Sequence, residues 1–130
     1  MQLIPPDLRA PLLRNDAARD ADPVPVLKLF NPCGAATWLI AEMLPDEPDF
    51  LFGLCDLGLG CPELGYVSLA ELESVKGPFG LGIERDLHFA GRFPLSVYSE
   101  AAHVAGYITE SEPSLRQTAN AFARRRESAS

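Results

Sequence analysis

Residues 50–57 are apolar on both sides of an extended ribbon: Phe50, Phe52 and Leu54 point one way, Leu51, Cys55 and Leu57 the other. Such a strand has to be covered twice, by a sheet packed on both faces or by a partner laid over one of them. The 130 residues suffice for one domain with one core. The cover therefore comes from neighbouring elements, namely an amino-terminal arm, or from a second copy, and a homodimer stays open.

The flanking sequence supplies short elements. Residues 26–30 read as a strand ended by the turn Asn31-Pro32-Cys33-Gly34. Residues 36–43 read as a second strand, with Thr37 and Ile40 suited to it and Trp38 as a structural anchor. Its helical rival, favoured by Ala41, Glu42, Met43 and Leu44, is cut short by Pro45. Residues 45–49 form an acidic hairpin loop. Residues 64–67 make a further strand running into a helix, with Ser68 and Glu71 at capping-box spacing and Leu69, Leu72 and Val75 as its buried stripe. Gly77-Pro78 stops that helix, and Gly80 and Gly82 leave the next link flexible. Residues 83–89 alternate, with Ile83, Arg85, Leu87 and Phe89 on one face and Glu84, Asp86 and His88 on the other.

A helix follows Pro94, with Leu95, Tyr98, Ala102 and Ala105 at helical spacing up to Gly106. Ser114 and Gln117 offer a capping box for a last helix with Leu115, Ala119 and Phe122 on one stripe and Arg124, Arg125 and Arg126 at its carboxyl end. At the amino terminus, Leu8, Leu12 and Leu13 allow one or two helical turns within residues 6–15, which Pro11 would strain if extended. Residues 16–25 read as a linker. The expected class is α+β: a mostly antiparallel sheet of four or five strands with two main helices, a short amino-terminal helical arm and a carboxy-terminal helix. The expected parts are an arm and linker over 1–25, an acidic domain over 26–110 and a basic tail over 111–130.

Charge is spread unevenly. The formal net charge is -7, with -1 over residues 1–26, -9 over 27–112 and +3 over 113–130. So acidic a middle argues against direct nucleic-acid binding and against adsorption to anionic lipid. It reads either as plain solubility or as a surface that docks on a basic groove or imitates a polyanion. Asp46, Glu47, Asp49, Glu84 and Asp86 are the residues expected to bind, and imitation requires carboxylates gathered on one face. Three cysteines, no basic leader and no apolar run near the roughly 20 residues that span a bilayer lead to a cytoplasmic expectation without membrane contact.

Chemistry is sparse. Cys55 and Cys61, with His88 and His103, lack the tight Cys-x-x-Cys pairs of zinc sites, so no metal is expected. Cys33 sits in a turn with no motif that places His88 beside it. Gly58-Leu59-Gly60 and Gly80-Leu81-Gly82 lack the lysine and hydroxyl of a phosphate loop and read as turns, and no cofactor is expected. Glu84, Asp86 and His88 on one strand face are the sole acid–base row, the alternative being a solvated face. Arg85 shares its row with three large apolar residues and is expected to be a structural anchor paired with Asp56 or Glu63.

Lys28-Leu29-Phe30, Ala36-Thr37-Trp38-Leu39, residues 51–58 (LFGLCDLG), residues 62–69 (PELGYVSL) and residues 84–89 (ERDLHF) resemble a bacterial domain-of-unknown-function family, as does Pro94-Leu95-Ser96 before a tyrosine. The resemblance runs from the amino-terminal arm to about Ile108. It implies a setting on plasmids and integrative elements, with related domains inside large multidomain proteins of such elements, and it carries over no catalytic residues. Genes in that setting often counter host defence or assist establishment after transfer. The functional expectation is thus a non-enzymatic acidic interaction protein whose partner is a host defence or nucleic-acid-handling component, of the anti-restriction or anti-CRISPR kind. The alternative is a small enzyme or ligand-binding domain built on Glu84, Asp86, His88 and Asp56.

Overall fold

The computed structural model describes residues 2–129. Five antiparallel strands form one sheet in the order β4-β3-β2-β1-β5: β1 (Leu27–Phe30), β2 (Thr37–Met43), β3 (Phe50–Asp56), β4 (Glu63–Ser68) and β5 (Glu84–Arg85). The helices are α1 (Pro6–Ala17), α2 (Leu69–Ser74), α3 (Leu95–Ala105) and α4 (Glu112–Ala129). The α+β class is as read from the sequence.

β3 is covered on both faces by the chain itself. Leu51 and Cys55 join Trp38, Ile40, Met43 and Val67 under α1 and α2, with Leu3, Ile4, Leu12 and Leu72. Leu54 and Phe52 join Leu39 and Ala41 beneath α3 and α4, with Phe93, Leu95, Tyr98, Ala102 and Leu115. Two cores back to back on one sheet explain the absence of polar alternation in β3. Gly53 is confined by the close approach of β2: a Cβ there would lie 2.0 Å from the Leu39 carbonyl oxygen.

Four local expectations need correction. α1 runs through Pro11 to Ala17 because wholly buried Leu12 and its neighbours Leu8 and Leu13 pin it to the sheet, outweighing one lost helical bond. The strand expected over 83–89 pairs with β1 at Glu84 and Arg85 and ends on one further bond, from the Asp86 N–H to the Lys28 carbonyl at 2.9 Å. Asp86 then closes a turn, its Oδ1 accepting from the His88 N–H at 2.8 Å, so the alternation is lost. Leu87 is exposed and Phe89 packs in the core beneath α3, away from Ile83. Val75 is no part of a buried stripe: α2 ends at Ser74 and Val75 is extended and exposed. α4 starts ahead of Ser114, since the Ser111 carbonyl and hydroxyl accept from Leu115 and Ser114.

Residues 16–25 are tied down. They hold a 3-10 turn (Arg19–Ala21) and Asp22 in the left-handed region at φ 56°, whose carboxylate accepts from both the backbone and hydroxyl of Ser96 at the start of α3. Asn15 donates to the Val24 and Ala41 carbonyls where β2 outruns β1.

Candidate interaction surfaces

The expected binding residues fall into two groups. Asp46 and Glu47 are exposed in the β2–β3 hairpin, where with Asp16, Arg19, Leu44 and Pro45 they line an open groove. Asp49 is engaged in the fold. Its carboxylate accepts from the Ser68 hydroxyl at 2.6 Å and the Ala70 N–H at 2.8 Å, bonds that hold it below the usual carboxylate range. Ser68 in turn accepts from the Glu71 N–H, so the Ser68 half of the expected capping box forms, with Asp49 behind it in place of a return bond from the Glu71 side chain. Glu84 and Asp86 lie at the other edge strand, beside the Trp38 end of β2, roughly 20 Å along the strand from the hairpin. The five carboxylates therefore form no single array.

The acid–base row is also taken apart. Glu84 borders a hollow shared with Leu3, Glu73, Lys76 and Leu81. Asp86 is 3.7 Å from Lys28, which also binds Glu110 at 2.6 Å. His88 opens instead into a polar cavity of about 210 Å³ lined by Arg92, Tyr98, Glu110 and Glu112. In that cavity Glu110 is matched by Lys28, and Glu112 by Arg92 and Arg116. Its volume is also below the roughly 300 Å³ at which ligand sites begin.

Arg85 donates to the carbonyls of Gln2 and Leu3, both at 2.8 Å, and so fastens the amino-terminal arm. Its expected partner, buried Asp56, is used elsewhere: Oδ1 accepts from Gly58 and Oδ2 from Ile108. Glu63 is exposed at the outer edge of the sheet. Trp38 is buried in the core under α1. Burial pushes the Cys55 thiol up to about 11, which suits an inert core thiol. Among the described residues no group of three His, Cys, Asp or Glu side chains could hold a metal ion, and no helix is long and apolar enough to cross a membrane.

Two features escape a reading of the sequence. Glu42 is 1% exposed. A register shift between Ile40 and Glu42 pairs Glu42 with Phe52 and takes it off the face of Ile40. There Arg19 meets it at 2.9 Å while stacking over the Phe52 ring. Burial raises the Glu42 carboxyl, and the pair raises the Arg19 guanidinium. The signal in the sequence is one carboxylate inside an apolar strand.

The second feature is Phe79, 98% exposed and held at φ 61°. Phe79 and Gly80 are the central residues of a turn closed by the Leu81 N–H on the Pro78 carbonyl, with a further bond from Gly77 to Leu81. Positive φ at both central positions is the type I′ pattern, normally Asn-Gly. An aromatic ring here meets an unfavourable backbone of about 1 kcal/mol and gains no burial. Exposed Leu81 follows in the chain and, with exposed Val75, lines a hollow that also holds Glu73, Lys76 and Glu84. The signal in the sequence is an aromatic residue inside turn composition, Gly77-Pro78-Phe79-Gly80.

A family model described as protein of unknown function (DUF2958) matches residues 3–109, from the arm that Arg85 fastens to the segment that Asp56 holds. No curated protein and no solved structure matches the chain. The match spans most of the chain, which therefore belongs to this family; α4 lies beyond the matched residues.

Proposed function

We propose that this member of the family is a non-enzymatic interaction protein that docks on a protein partner by inserting Phe79 into an apolar pocket with a basic rim. The observation that carries the reading is the Phe79 turn: a fully exposed aromatic ring on a backbone that disfavours it, followed in the chain by Gly80 and Leu81, which line a hollow with Glu73, Lys76 and Glu84. Full burial of a phenylalanine supplies about 1.5–3 kcal/mol, and aromatic anchors dominate interface energetics. The net charge of -9 over residues 27–112 favours a basic partner surface and speeds encounter with it. Docking is preferred to imitation of a polyanion because the carboxylates stand in separate groups. The mobile-element setting implied by the sequence resemblance makes a host defence or nucleic-acid-handling protein the natural partner.

The test is affinity capture of a host protein by the tagged chain, followed by measurement of its dissociation constant. Phe79→Ala is expected to weaken binding by ten-fold or more. Glu84→Lys weakens it less and reduces its salt dependence. A partner held equally by the Phe79→Ala chain overturns the reading.

A further inference from the structure

The two edges of the sheet are unlike. β5 is two residues long, whereas β4 presents six. Among the described residues, the backbone groups of residues 63–67 make no backbone–backbone hydrogen bond beyond the ladder with β3. Edge strands are ordinarily blunted by lysine, proline, a bulge or a covering segment. Glu63-Leu64-Gly65-Tyr66-Val67-Ser68 has one charge and no proline, and it pairs with β3 without a register shift. Leu64 and Tyr66, on one face, are 45% and 51% exposed, next to exposed Phe50. A Cβ built on Gly65 meets nothing within 4 Å.

We infer that this edge is the seat of a second copy of the chain, β4 pairing antiparallel with β4 about a two-fold axis normal to the sheet at Gly65. Residue parity limits the choice to axes that pass through a residue, and Gly65 is the middle of residues 63–67. An axis normal to the sheet keeps each face continuous, so paired residues must differ by an even number. With Gly65 on the axis, Leu64 lies opposite Tyr66 of the second copy on the exposed apolar face. The two glycines meet where the backbones come closest. Glu63 lies opposite Val67, which keeps the two carboxylates at opposite ends of the seam. A basic peptide is less well matched to these six residues, because four of them are apolar or glycine and one is charged. Each copy carries a net charge of -7, so the bodies repel while the seam attracts.

The test is sedimentation equilibrium of the full chain from low micromolar to millimolar concentration, with and without added potassium chloride. The expected result is a reversible shift from 14.1 kDa to twice that mass, strengthened by salt. Leu64→Lys, at a half-exposed position, is expected to weaken the dimer at least ten-fold while far-UV circular dichroism and melting stay near the parent's. Tyr66→Lys is expected to weaken it as much but also to lower melting, because the Tyr66 ring packs 5.0 Å from Phe52 and Tyr66 bonds to Arg19. Amide exchange in residues 63–67 is expected to slow at high concentration in the parent chain only. A monomer throughout, or a dimer indifferent to both lysines, overturns the inference. Salt separates this seam from the partner surface, because binding at Phe79 weakens with salt and is untouched by Leu64→Lys.

Discussion

The Oδ2 atom of Asp56 accepts a hydrogen bond from the backbone N–H of Ile108 at 3.0 Å, joining the end of β3 to the segment between α3 and α4. Its other oxygen accepts from Gly58 at 2.8 Å, so one buried carboxylate satisfies two loops. Removing it leaves two N–H groups without their acceptor. Asp56→Ala is expected to cost about 2–4 kcal/mol, lowering the melting temperature by more than about 5 °C. Asp56→Asn, which keeps one acceptor, recovers part of the loss. Equal melting of parent and Asp56→Ala would refute the assignment.

Asp56 also shows how far the sequence is legible. Its type and apolar setting mark it as structural, but its partners lie on loops whose approach no local pattern encodes. The doubly apolar strand, the caps at Ser68 and Gly106 and the hairpin at 45–49 rest on neighbouring residues and are found where the sequence puts them, save that the strand stops at Asp56 and leaves Leu57 exposed. The 83–89 segment alternates convincingly, yet Asp86 prefers its own turn to a longer ladder with β1. Glu42 is hidden because a bulge changes the face of a residue without changing composition. Phe79 is hidden because turn composition is read from its glycines and prolines.

Arg85 reaches across to the first residues of the chain, where Leu3 and Ile4 are buried. Arg85→Met keeps the apolar stem and removes the donors. The arm is then expected to loosen at a cost of about 1–3 kcal/mol. Thermal melting and faster proteolysis near Leu3 are the measurements, and an unchanged melting temperature would count against the anchor.

Phe79 separates stability from binding. Glycine adopts its backbone conformation without steric cost, and the ring makes no buried contact. Phe79→Gly is therefore expected to leave stability unchanged or raise it by up to about 1 kcal/mol, although glycine frees the unfolded chain. The same change removes the anchor from the partner surface. A destabilised Phe79→Gly chain would mean that the ring packs within the fold, and that the turn is no docking element.

The pair of Arg19 and Glu42 gives the fold a pH dependence with a definite sign. Unfolded, Glu42 titrates near its ordinary 4.5; folded, burial lifts it above that. Between the two values the folded chain holds a proton that the unfolded chain has lost, so this residue adds stability as pH falls through that window and withdraws it as pH rises. Asp49, depressed by Ser68 and Ala70, runs the other way, and its contribution disappears as pH falls through its lowered value. Arg19→Ala takes the counter-charge from a buried carboxylate. The cost is expected to be about 1–3 kcal/mol at neutral pH, less than for a fully buried pair because the Arg19 side chain is half-exposed. That cost should shrink on acidification, because protonated Glu42 no longer needs the guanidinium. Denaturant melts of the parent, Arg19→Ala and Glu42→Gln across the acid range decide the matter. The parent and Arg19→Ala curves are expected to converge toward low pH, and Glu42→Gln to lack the Glu42 slope. A gap between parent and Arg19→Ala that stays constant with pH would show that Glu42 is not the group Arg19 serves.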